Sequence, residues 1–127
     1  MLTTLRPNAT GVVAQHSRNA GSSNWGRVSE ASSDGDTSYI YKISGLAGSV
    51  VTVDSWNIAN PAAYAGAIAS VAVTMIAEYV INTLQADIQT LVRIGSTYYA
   101  GAQTALTGAY AAYTTTHTKN PATGGAW

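Results

Sequence analysis

Glu30, Asp34 and Asp36, with Ser32 and Ser33 among them, form the densest set of oxygen ligands in the chain. Calcium takes carboxylate and carbonyl oxygens from loops, and the Asp-Gly-Asp spacing lets two carboxylates converge in one turn. No EF-hand-like spacing accompanies the three acids, and Asp and Gly are favoured in turns for local backbone reasons. The block therefore reads first as a solvated turn, with calcium as the alternative. His16 and His117 are the two histidines, and there is no cysteine, so a zinc site would need partners remote in sequence. Glycoside hydrolysis needs two carboxylates facing across a cleft. Asp54, Glu78 and Asp87 are the remaining acids, and nothing in their spacing pairs them. Ser-His-Asp chemistry lacks a G-x-S-x-G-type elbow. The sequence predicts no catalytic residue, no cofactor and no metal: a non-enzymatic protein.

The aromatic set is more informative. Eight Tyr and three Trp stand beside no Phe, so every six-membered aromatic ring carries a polar handle or is fused to one. Such side chains suit half-buried positions at interfaces and sugar-stacking platforms. Tyr98 and Tyr99 place one ring on each face of a strand, and Tyr110 and Tyr113 flank a hairpin mouth. Together with Ile76 and Trp127 these are the expected interface or ligand contacts. Trp25, Trp56 and Tyr39 are accounted for by core packing.

These side chains must be positioned by a chain of 127 residues, enough for one domain with a modest core. Charged residues are 9% of the total, the formal net charge is zero, and the six Lys and Arg are scattered singly. No long-range field draws nucleic acid or anionic lipid. The N-terminal MLTTLRPNATG has no basic region followed by an apolar run, so it does not read as a secretory signal. A surface this poor in charge has little electrostatic protection against self-association, which points to an oligomer or lattice.

Gly, Ser, Asn and Asp dominate residues 14–38, which read as loop with short extended pieces anchored by Trp25 and Val28. Tyr39-Ile40-Tyr41 is a short β-prone run, followed by a turn at Gly45, Gly48 and Ser49. Val50 to Ile58 alternates as a strand that Asn60-Pro61 ends. Residues 61–94 are rich in Ala, and Ser55 to Ala77 carries no charge, yet Asn57, Asn60, Pro61 and Gly66 and the lack of basic anchors argue against a membrane span. Val71, Val73, Met75, Ala77, Tyr79 and Ile81 form an unbroken period-two row, so the segment is expected to be strand rather than helix. Asn82-Thr83 then serves as a connection, with Ala86 to Ile94 as the partner strand. Gly95-Ser96 between Leu91–Ile94 and Thr97–Tyr99 is hairpin grammar. In "TGAYAAYTTTHT", Tyr113, Thr115 and His117 share one face and Thr114, Thr116 and Thr118 the other, before Asn120-Pro121 stops the strand. Short strands, frequent turns and no convincing helix predict an all-β antiparallel sandwich.

"LRPNATG" at 5–11, "NWGRVSEASSDGDTSYIY" at 24–41 and "RIGSTYYAGAQTALTGAYAAYTTTHTKNPATGGAW" at 93–127, in that order, resemble a family of small phage-encoded β-sandwich proteins. Relatives read L-R-P-N, then a W…V-D-E…P-D-D…T-Y-[IV] block, a hairpin, L-[ST]-x-x-Y-x-x-Y and N-P-A-T-G-x-A-W. The resemblance implies a jelly-roll or lectin-like sandwich carried on tailed-phage particles as head decoration, fibre or minor tail component. The chain departs from the pattern in a diluted acidic block, in Ile76 where relatives often carry a charge, and in His117 at an often aromatic position. Relatives also continue past the final Trp with further strand, so the sandwich is expected to lack its last strand in this chain. That segment is expected to lie beyond Trp127, with a genuinely short chain or a strand donated by a neighbour as the alternatives, either of which would make assembly obligatory.

Taken with the composition, the resemblance implies one jelly-roll-like domain over residues 1–127, loop-rich to about residue 38, at the surface of a virion. The expected role is capsid decoration through a trimer or other small oligomer, with copies of itself and phage shell or tail proteins as partners, and without nucleic acid or membrane. A receptor- or glycan-binding module of a fibre or tail is the alternative. A secreted carbohydrate-binding module of a cell lacks a visible signal.

Overall fold

The computed structural model describes residues 4–32, 34–42, 52–58, 66–80 and 86–127. The expected turn at residues 45–49, the break at Asn60-Pro61, the row position Ile81 and the connection Asn82-Thr83 lie outside them. The fold is all-β and antiparallel, as the alternation predicts: every described strand pairs antiparallel with one other. No helix among the described residues is long and apolar enough to cross a membrane. The chain groups into two compact units, Met1–Tyr64 and Ala65–Trp127.

In the first unit, β1 (Pro7–Ala14) pairs with β4 (Asp54–Ile58). β2 (Ser17–Arg18) pairs with β3 (Ile40–Tyr41). Between β2 and β3 the chain makes two 3-10 turns, Trp25–Arg27 and Gly35–Thr37. Asn19 takes the place of a third rung beside β2. Its N–H donates to the Tyr39 carbonyl, and its side-chain oxygen accepts from the Tyr39 N–H. The β1–β4 register is irregular, running Pro7 opposite Ile58, Thr10 opposite Trp56 and Ala14 opposite Asp54. Gly11 allows the approach. A Cβ there would lie 2.6 Å from the Ser55 carbonyl carbon, closer than any side chain tolerates.

β1 is the longest element that the hydrophobic pattern leaves unmarked. Its half-buried row is Pro7, Ala9, Gly11 and Val13, while Val12 is 63% exposed. Three small or cyclic residues on the inner face give no hydrophobic period to detect. Of the strand expected from Val50 to Ile58, Val50 and Val51 lie outside the described residues, Thr52 and Val53 are irregular chain, and Asp54–Ile58 forms β4.

The second unit is a set of nested antiparallel pairs. β5 (Val71–Ala77) pairs with β10 (Ala111–His117), β6 (Asp87–Ile88) with β9 (Thr104–Ala105), and β7 (Leu91–Ile94) with β8 (Thr97–Ala100). The innermost pair is the hairpin read from Gly95-Ser96, and Gly95 takes the left-handed φ of 61° that its turn requires. The expected partner of β5 is corrected. Residues 86–94 are broken at Gln89-Thr90 into β6 and β7, and β5 pairs instead with β10, in perfect step from Val71 opposite His117 to Ala77 opposite Ala111. Cross-strand matching favours that choice: the Thr74 and Thr114 hydroxyls lie 2.8 Å apart and Met75 faces Tyr113.

The half-buried face of β10, with Tyr113, Thr115 and His117, lies against the chain at Thr90 and Gly101. Thr90 is 4% exposed and donates to the Thr115 hydroxyl at 2.5 Å, while its carbonyl accepts from the Gly101 N–H at 2.9 Å. Among the described residues no apolar side chain reaches full burial; Val71, Val73, Met75 and Ala77 of β5, those of β7 and Leu106 stay half-buried.

Candidate functional site

Two groupings stand out, one in each unit. In the first, the chain leaving β1 turns through Gln15 and His16 against the start of β4, and Asp54 collects the donors that turn exposes. Asp54 Oδ1 accepts from the backbone N–H of Gln15 at 2.6 Å, from that of His16 at 2.9 Å, and from His16 Nδ1 at 3.1 Å. Its Oδ2 accepts from the Asn24 amide at 2.6 Å. The Asp54 side chain is 2% exposed and that of His16 23%. Burial of the carboxyl works to raise its pKa. The hydrogen bonds from the His16 N–H, the Asn24 amide, the His16 ring and the Gln15 N–H outweigh it, and the net shift is downward. Asp54 is thus held as a carboxylate.

An ionised carboxylate only accepts, so in the neutral form of the His16 ring the proton sits on Nδ1 and Nε2 is left as an acceptor. Nε2 lies 3.1 Å from the Thr52 hydroxyl. The neighbouring Gln15 carboxamide is also fixed, its Oε1 accepting from the Val53 N–H at 2.8 Å. None of this was legible beforehand: His16 and Asp54 are 38 residues apart, and His16 reads as an isolated loop residue.

The acidic block lies in the same unit. The Ser38 hydroxyl sits between Glu30 Oε1 and Asp34 Oδ2, at 2.8 Å from the latter, and the Ser38 N–H donates to Asp34 Oδ1. Asp36 falls in the second 3-10 turn. Asp34 thereby closes the local turn expected of an Asp-Gly sequence. Among the described residues, no cluster of three or more His, Asp or Glu side chains has the arrangement to hold a metal ion.

The second grouping is the outward face of β5 and β10, which carries Ala72, Thr74 and Ile76 beside Ala112, Thr114 and Thr116. Ile76 is 51% exposed with Ala112 opposite it, and Val80 just beyond β5 is 83% exposed. Tyr110, next before β10, is 40% exposed. This face is small, methyl-rich and uncharged from Ala72 to Ile76, so it can approach another flat surface closely.

The other expected contacts divide. Tyr98 is 39% exposed on β8, and the Arg93 guanidinium lies 5.9 Å from its ring centre. Tyr99 points to the opposite, half-buried face of the hairpin, across from Val92. Tyr113 faces inward, and its hydroxyl accepts from the Thr107 N–H at 2.9 Å, fixing the approach to β10. Trp127 folds back on β10, its indole N–H donating to the His117 carbonyl at 2.8 Å. Ile76 is therefore the most exposed of the six, Tyr110 and Tyr98 are partly exposed, and Tyr99, Tyr113 and Trp127 are tied into the unit. A small cavity lined by Ile88, Thr90, Ala102, Thr104, Tyr113, Thr114 and Thr115 has room for about one water molecule. Comparison of the chain with protein-family models, with curated proteins and with solved structures gives no match in any of the three.

Proposed function

We propose that the chain is a non-enzymatic structural protein of a tailed-phage particle, a capsid decoration protein that binds the outer shell as an oligomer. The observation that carries this reading is the apolar surface left open. Ile76 and Val80 are 51% and 83% exposed, whereas no described apolar side chain is fully buried. Covering such surface stabilises an assembly by about 25 cal/mol per Å² before the entropic costs of association. The uncharged small-residue face of β5 and β10 suits contact with a flat neighbour. The nested pairing of β5–β10, β6–β9 and β7–β8 supports a jelly-roll-like wrap, since a jelly roll is one long antiparallel hairpin wound into two sheets.

The test is a density map of the particle specified by the same genome. The reading expects the chain on the outer shell with Ile76 covered by a neighbouring chain, and Ile76→Lys particles that lose the chain while the purified variant keeps its fold. A chain absent from the shell overturns it. Glycan-array binding by the isolated protein, lost on Tyr98→Ala, would replace it with the receptor-binding role.

A further inference from the structure

Thr52, His16, Asp54 and Gln15 bring together a hydroxyl, a base, an orienting carboxylate and a carboxamide. We propose that Thr52 and Gln15 join in an intramolecular ester that cross-links the end of β1 to the start of β4. The inference concerns the covalent state of the first unit and is independent of the role on a particle.

Each participant has a place in the observed geometry. Asp54 fixes the ring through Nδ1 at 3.1 Å, so Nε2 is free to take a proton, and the Thr52 hydroxyl lies 3.1 Å from it. This is the relation of nucleophile, base and orienter that activates a hydroxyl for acyl transfer. The acyl group is supplied by the residue beside His16. Gln15 Oε1 accepts from the Val53 N–H at 2.8 Å, and its backbone N–H and that of His16 are both anchored on Asp54. That Val53 nitrogen belongs to the peptide bond that follows Thr52, so the carboxamide is tied to the backbone of the nucleophile's own residue. The Val53 N–H also polarises the Gln15 C=O and would stabilise the oxyanion as it forms.

The step balances without a co-reactant. Thr52 Oγ1 bonds to Gln15 Cδ while its proton passes to His16 Nε2. The tetrahedral centre then collapses, the Cδ–Nε2 bond of Gln15 breaks, and His16 returns the proton to the departing amine, which leaves as ammonia. Asp54 stabilises the imidazolium in between and stays ionised throughout. In a chain with no cysteine, such an ester supplies the cross-link that a disulfide gives elsewhere.

Intact-mass measurement of the purified, folded full chain tests this. The mass should fall short of the sequence mass, after N-terminal Met processing, by about 17 Da, the mass of one ammonia lost in acyl transfer. Digestion should place residues 15 and 52 in one branched peptide that hydroxylamine separates. Gln15→Ala and Thr52→Ala should show no deficit, and Thr52→Ser, which keeps the hydroxyl, should restore it. A folded wild-type chain at its full sequence mass overturns the proposal, and so does a deficit that survives Gln15→Ala.

Discussion

Asp54 and Asn24, 30 residues apart in sequence, meet at 2.6 Å, and the same Asn24 amide donates to the His16 carbonyl at 2.8 Å. Asn24 is 4% exposed, and its side-chain Oδ1 accepts from the Arg18 guanidinium at 3.4 Å. One side chain therefore ties β4, the turn after β1 and the loop before the first 3-10 turn to a single point. In a unit whose described apolar side chains are at most half-buried, such a polar node holds a larger share of the structure than it would in a well-filled core.

Removing the node should be costly. Asn24→Ala leaves Asp54 Oδ2 and the His16 carbonyl without their donor in a site that water hardly reaches, and a lost hydrogen bond to a buried charged group costs about 1.5–3 kcal/mol. Chemical denaturation should show the midpoint falling with the slope unchanged. An exposed control such as Asn57→Ala, whose amide reaches the Thr10 carbonyl at 3.4 Å, should lose far less.

Asp54 sets an acid limit on the first unit. Its folded pKa lies below the ordinary carboxylate value of 3.8, so the unfolded chain binds the proton more readily. The stability it contributes is fully present above that ordinary value and is lost as pH falls through the lower, folded one. Thermal unfolding should thus be insensitive to this group near neutrality and weaken below about pH 4. Asp54→Asn should remove that part of the acid dependence and lower stability at pH 7.

What the sequence disclosed was local. Gly95-Ser96 between two β-prone runs defined the β7–β8 hairpin, and the alternation of Val71, Val73, Met75 and Ala77 defined β5, because both signals are complete within a few residues. The partner of β5 was not legible, since what selects β10 is the meeting of Met75 with Tyr113 and of Thr74 with Thr114, the latter across 40 positions. β1 was hidden for a related reason. Gly11 is there to let Ser55 approach, and a residue chosen for its lack of a side chain leaves no mark in a hydrophobic pattern. The Asp54 node combines both difficulties: its donors come from residues 15, 16 and 24, none of which signals the others.

Gly101 offers a test of the packing in the second unit. A Cβ at that position would lie 2.8 Å from Thr115 Cβ and 2.6 Å from Thr115 Cγ2, so Gly101→Ala should destabilise by about 1–3 kcal/mol through overpacking. Thr115→Ala removes the overlaps with Oγ1 and Cγ2 but keeps the Cβ at 2.8 Å, and it strips Thr90 of its acceptor. The double variant should therefore be more stable than the sum of the two single losses implies, and a double-mutant cycle measures the difference. Strict additivity would mean that the two residues do not touch.

The clasp at the end of β10 separates a hydrogen bond from a ring contact. Trp127 Nε1–H donates to the His117 carbonyl at 2.8 Å, and the two rings meet edge to face with centres 6.5 Å apart. Trp127→Phe keeps a ring but deletes the donor, at a cost of about 1 kcal/mol. Trp127→Ala removes the ring as well and should lose about 0.5–1.5 kcal/mol more. Because the His117 carbonyl belongs to the last rung of β10, opposite Val71, the loss should appear first as faster amide exchange at that end of the β5–β10 ladder. The β7–β8 hairpin, closed by its own Gly95 turn, should keep its protection in both variants. Equal loss across both strand pairs would instead mean that the indole supports the unit through bulk packing rather than by closing one strand end.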